Sequence, residues 1–248
     1  MGFTVALAGK GGVGKTTIAA LAILYLLRKN KKPILAVDAD ANSNLNELLG
    51  VEVTHTVGGA RESLKTDVPS GMPKDTFMEY KIQEAVIEGE GFDLLVMGRP
   101  EGPGCYCFPN SIIKRYIEIL SKNYSYLVID NEAGMEHISR LTARDVDLLI
   151  VVSDPSTRGI LTAKRIYDLV KEMEIRVGKS LLLINKVNGN LAKEIVDMVD
   201  SMGLTLGGVV PSDSDIAKFD LAQRSLLELP NGNKAYDYVS GILKDYIP

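Results

Sequence analysis

The chain has 248 residues, 46% of them hydrophobic, with 28 Lys and Arg against 32 Asp and Glu. That length and apolar share fit a single α/β domain over 1–248, and a net charge of −4 argues against a surface built to coat nucleic acid. No apolar run is long enough to span a bilayer, no basic leader precedes the first strand, and two cysteines make no disulfide framework, so the expectation is a cytoplasmic protein with neither membrane nor nucleic-acid partners.

The apolar run 3–8 predicts a strand and the apolar run 18–27 a helix. Between them stands Gly9-Lys10-Gly11-Gly12-Val13-Gly14-Lys15-Thr16-Thr17, which matches the phosphate-loop pattern G-x-x-x-x-G-K-[ST] without a mismatch. Glycines let successive backbone N–H groups turn inward, and the following helix adds the positive end of its dipole. The amides of Gly11, Gly12, Val13, Gly14, Lys15, Thr16 and Thr17 are therefore candidate phosphate ligands. Lys15 supplies a charge for the β- and γ-phosphates, and the Thr16 hydroxyl is a candidate Mg²⁺ ligand. With the second lysine, Lys10, the loop resembles that of the dimeric ATPases that include nitrogenase iron protein and the Min and Par ATPases. The resemblance implies that Lys10 reaches across a homodimer interface to the partner's nucleotide.

Residues 32–38 predict a second buried strand, ending in Asp38-Ala-Asp40. Carboxylates at the C-terminal end of a parallel strand sit beside the phosphate site. In the resembled ATPases the first of such a pair lies near the metal and the second positions the attacking water. The alternative is a capping role before a helix from Leu45, which suits Asp40 better than both residues together. Residues 50–90 read as a variable, loosely held insert, with a helix within 60–65 and a strand or helix within 77–86; His55 there reads as a surface residue.

A strand over 92–97 feeds a loop rich in glycine and proline that carries both cysteines, Cys105 and Cys107. Two free thiols or a strained local disulfide would explain them. A metal is the favoured reading: a thiolate site wants about four ligands, one Cys-x-Cys gives two, and a two-fold dimer with this loop on its axis gives four. Ni and Zn are the candidate metals. A helix is predicted over 111–120, then a strand over 124–130 that ends in Asp130, the apolar-run-then-Asp arrangement that sets a carboxylate near Mg²⁺. Asn131, Glu132, Ala133, Gly134, Met135, Glu136 and His137 follow, with Gly134 as a flexible point for sensing a γ-phosphate and Glu136 and His137 as candidate links to the cysteine loop.

Taken together, the phosphate loop with Lys10, the Asp38 and Asp40 pair, Cys105 and Cys107, and the run from Asp130 to His137 resemble the CooC-type ATPases, which mature carbon monoxide dehydrogenase by aiding nickel insertion, and their relatives acting on acetyl-CoA synthase. The resemblance implies an ATP hydrolase, a homodimer, a metal between its subunits, and a nickel enzyme as client. Asn131-Glu132 departs from the small or apolar residues expected there.

Strands over 146–152, 180–188 and 206–211 and helices over 157–174, 215–229 and 235–246 complete an α/β, doubly wound, mostly parallel sheet with helices on both faces, as in P-loop NTPases. Asn188 stands where a guanine-specific loop carries an Asp, which favours ATP, with ADP as product. The resemblance places Asn185 on the adenine edge; Lys186, Pro211 and Asp213 are expected to border the base.

Overall fold

The computed structural model describes residues 2–40, 42–98, 118–131, 145–173 and 175–248. Apolar runs become strands and long apolar-faced segments become helices in close alternation. In chain order they are β1 (Phe3–Gly9), α1 (Lys15–Arg28), β2 (Ile34–Ala39), α2 (Leu45–Leu49), α3 (Val57–Thr66), α4 (Lys74–Glu84), β3 (Val86–Glu88), β4 (Asp93–Val96), β5 (Tyr126–Asn131) and β6 (Asp145–Ser153). Then come α5 (Thr157–Glu172), β7 (Arg176–Val187), α6 (Lys193–Ser201), β8 (Leu206–Pro211), α7 (Ser214–Leu221) and α8 (Lys234–Leu243).

The strands form one sheet in the order β3-β4-β2-β5-β1-β6-β7-β8. All neighbours pair in parallel except β3, which runs antiparallel to β4 at the edge. The doubly wound, mostly parallel expectation holds. β1 lies between β5 and β6, so chain crossovers diverge to its two sides and leave a crevice at its C-terminal end.

Side chains alternate along β1 between two cores. Val5 and Leu7 pack with α1, α2 and α8, while Ala6 and Ala8 pack with α3, α4, α5 and α6. α1 is buried almost all round from Ile18 to Leu26, because the sheet covers one side and α2 and α8 cover the others. No helix among the described residues is long and apolar enough to cross a membrane.

Two expectations are corrected. The stretch within 50–90 is not loosely held: Val57, Ala60, Met78, Ile82 and Ala85 are buried in the second core. The helix expected within 60–65 is present inside α3, and of the two forms open for 77–86 the helix is the one taken, with Val86 turning into strand. Hydrophobic periodicity is weak there because each helix buries a few positions only. The helix expected over 215–229 stops at Leu221. Gln223 takes a left-handed conformation (φ 50°), and a short 3-10 turn at Leu226–Glu228 drives Leu226 and Leu229 into the core beside α1.

Candidate nucleotide site

The crevice at the end of β1 collects the residues singled out from the sequence. α1 begins at Lys15 after Gly14, which is left-handed (φ 91°) and offers no side-chain cap; the first turn holds no acidic residue. α3, α5, α7 and α8 differ, since Thr56, Ser156, Asp213 and Asn233 cap them. Leaving the α1 amides uncapped costs stability unless an anion takes the place of the cap. Lys15 is buried to 7% exposure, with its ammonium 3.4 Å from the Lys10 carbonyl oxygen, and Lys10 itself is exposed.

β7 braces this loop from the side. Asn185 is buried and its Nδ2 donates to the Val13 carbonyl at 2.9 Å. The next residue, Lys186, is left-handed (φ 61°), so its Nζ also turns toward the loop and donates to Gly12 O at 2.9 Å. A Cβ on Gly14 would lie 2.5 Å from Asn185 Nδ2, so the glycine serves both the conformation and the close approach. Asn185 thus holds the phosphate loop, a role that sequence reasoning did not assign to it.

Asp38 and Asp130 are register partners across β2 and β5, both essentially buried. Burial pushes the Asp130 carboxyl up to about 7; a hydrogen bond with the Thr16 hydroxyl opposes this, the Asp38 charge adds to it, and Lys15 opposes it. Its Oδ1 is buried without a hydrogen-bond partner among the described residues. An orphaned carboxylate oxygen beside a threonine hydroxyl fits a Mg²⁺ ion, which takes oxygen ligands. Asp38 is differently engaged: Oδ1 accepts from Asp40 N and Oδ2 from Leu45 N. Burial raises it to about 6 against the pull of those amides. The capping role suspected for Asp40 therefore falls on Asp38. Asp40 is half-buried and accepts from Asn42 N in a tight local turn.

Beyond the loop lies a cleft of about 500 Å³, lined by Thr16, Thr17, Asn185, Lys186, Pro211 and Asp213 together with side chains of α2, α7 and α8. Glu47, Leu48, Ile216 and Ala235 of that lining were missed from the sequence, since nothing local marks a residue as facing a distant loop. Asn188 is exposed just past β7. Asp213 accepts from Asp215 N, Ala235 N and Asn233 Nδ2. Partial burial alone would raise Asp213, but these bonds outweigh it and hold the carboxyl below its usual value.

Cys105, Cys107, Gly134, Glu136 and His137 lie outside the described residues. The chain enters the cysteine-bearing segment from Gly98 (φ 64°), pressed against Thr56, with Gly58 N donating to Met97 O at 2.8 Å. Among the described residues there is no cluster of three metal-ligating side chains.

Uncapped amides and a buried ammonium at one spot suit a chain of phosphates, which places the molecule among the P-loop nucleotide-binding proteins. Residues 4–226 match the CobQ/CobB/MinD/ParA nucleotide binding domain; the chain belongs to that family and is an ATPase of it. It is 44% identical over 248 residues to an uncharacterized ATP-binding protein of Methanocaldococcus jannaschii, covering 98% of each chain. It is 29% identical to the carbon monoxide dehydrogenase accessory protein CooC of Rhodospirillum rubrum, covering 97% of this chain and 96% of that one. Its fold resembles the septum site-determining protein MinD complexed with Mg-ADP from Pyrococcus horikoshii, with a TM-score of 0.74 at 20% identity, over 99% of this chain and 96% of that one.

Proposed function

We propose that this chain is a metal-handling ATPase of the CooC type, acting as one nucleotide-binding domain over 1–248 in a homodimer whose closure depends on ATP. The observation that carries the reading is the end-to-end likeness to the Rhodospirillum rubrum accessory protein, joined to the Cys105 and Cys107 pair in a chain with no other cysteine. Lys15 and the loop amides hold the phosphates, and Asn185 with Lys186 keeps that loop in shape. Thr16 and Asp130 would hold Mg²⁺, which when bound neutralises charge on the phosphate oxygens. Asp38 fixes the turn that carries Asp40, and Asp40 orients the attacking water. Lys10, at the exposed mouth, reaches the partner's nucleotide. The transported Ni²⁺ or Zn²⁺ is held by Cys105 and Cys107 of both subunits, and the client is nickel-dependent carbon monoxide dehydrogenase or acetyl-CoA synthase.

The test is metal content in the presence of ATP. Cys105→Ala is expected to bind ATP as before and to lose the metal; full metal retention would refute the intersubunit site. A second reading, a Min- or Par-type positioning ATPase, draws on the likeness to MinD. Such proteins need a surface for membrane or DNA. Here the apolar face of α8 (Ala235, Tyr236, Val239, Leu243) is already buried in the core. ATP-dependent binding to lipid vesicles or DNA by a metal-free chain would favour this second reading.

A further inference from the structure

Asp213 lines the cleft from the loop after β8, on the side where a base would lie. A carboxylate there would ordinarily attract guanine, whose Watson–Crick edge offers the N1–H and N2–H donors. Adenine presents one donor and one acceptor on that edge. An ionised carboxylate has about four acceptor positions. Those of Asp213 are spoken for: Asp215 N donates to Oδ1 at 2.8 Å, and Ala235 N and Asn233 Nδ2 each donate to Oδ2 at 3.1 Å. The Ile216 N–H contributes as well.

Three of these donors are backbone amides at the starts of α7 and α8 and come with the fold. Asn233 is the exception. It is buried to 3% exposure, its Oδ1 accepts from Tyr236 N at 2.9 Å as the cap of α8, and its amide nitrogen is left over for Asp213. We infer that Asn233 is a specificity-determining residue, which selects adenine by occupying the Asp213 carboxylate and so denying guanine its acceptor. The inference deepens the reading above and rests on the base lying in this cleft. Glu47 on α2 and Asp220 on α7 also line the cleft.

The experiment is displacement of a fluorescent ADP from the full chain by ATP and by GTP, in the wild type and in Asn233→Ala and Asn233→Ser. The serine keeps an oxygen for the Tyr236 N–H but is too short to carry an N–H to Asp213. In both variants the GTP-to-ATP affinity ratio is expected to rise about tenfold to a hundredfold, the worth of one charge-assisted hydrogen bond. Adding Asp213→Asn to Asn233→Ser should return the ratio to that of the wild type. A purely structural role would weaken both nucleotides alike; an unchanged ratio in the variants, or a gain that survives Asp213→Asn, overturns the inference. ATP binding by the wild type that vanishes in Lys15→Ala checks the underlying reading separately.

Discussion

Asp130 holds its proton more tightly in the folded chain than in the unfolded one, since burial lifts its carboxyl to about 7 and that of neighbouring Asp38 to about 6. The sign follows. For a carboxyl raised on folding, the native state binds more protons, so its stabilising contribution is complete below the unfolded value near 4. It fades as pH rises through the folded value near 7. Without nucleotide, thermal stability should therefore fall between about pH 4 and pH 7 more steeply in the wild type than in Asp130→Asn. At about pH 8 the variant should be the more stable by roughly 1–3 kcal/mol, yet its Mg²⁺-dependent ATP turnover should drop at least ~100-fold. Calorimetry and a phosphate-release assay check the two halves; a variant that melts lower at the higher pH would contradict the buried, unpartnered placement of Oδ1. The sequence marked Asp130 by its position after an apolar run. Burial and a missing partner are properties of the packed sheet, legible only once β2 and β5 are known to lie side by side.

β1, the phosphate loop and α1 form the most legible element, because glycine positions, a lysine and two apolar flanks all agree on one local geometry. The brace from β7 was half legible. Asn185 and Lys186 were singled out for the base, but their side chains run to the Val13 and Gly12 carbonyls, contacts that span more than 170 positions and leave no local pattern. Asn185→Ala should loosen the loop and weaken ATP binding by about tenfold, the scale of one lost buried hydrogen bond, with the chain still folded. Titration calorimetry with ATP measures it; unchanged affinity would mean that Lys186 alone holds the loop. The Asp38 and Asp40 pair shows the converse limit. Spacing identified both carboxylates but not which one gathers the amides of the following turn, because that depends on the direction in which the chain leaves β2. The firm packing of the 50–90 stretch and the early end of α7 were misread for a related reason: few residues of α3, α4 and α7 face the core, so periodicity is faint where tertiary packing decides.

At the scale of the whole molecule, the strand order brings the ends of β1, β2, β5, β7 and β8 to one edge of the sheet, and with them every described residue assigned to the nucleotide. The fold class was readable from the alternation of elements alone; the position of β5 between β1 and β2, which pairs Asp38 with Asp130, was not. The same edge carries the exposed Lys10, and β4 ends beside α3, where the chain runs on toward Cys105 and Cys107. A nucleotide at that edge and the metal proposed to be gathered from two chains would be linked only if two such edges met. The most direct measurement is the mass of the chain in solution with Mg²⁺ and a slowly hydrolysed ATP analogue. The chain is 27.0 kDa, so the expected result is a shift to about 54 kDa that disappears in Lys10→Ala and on exchange for ADP. A chain that stays at the single-chain mass under every nucleotide and divalent ion would contradict it.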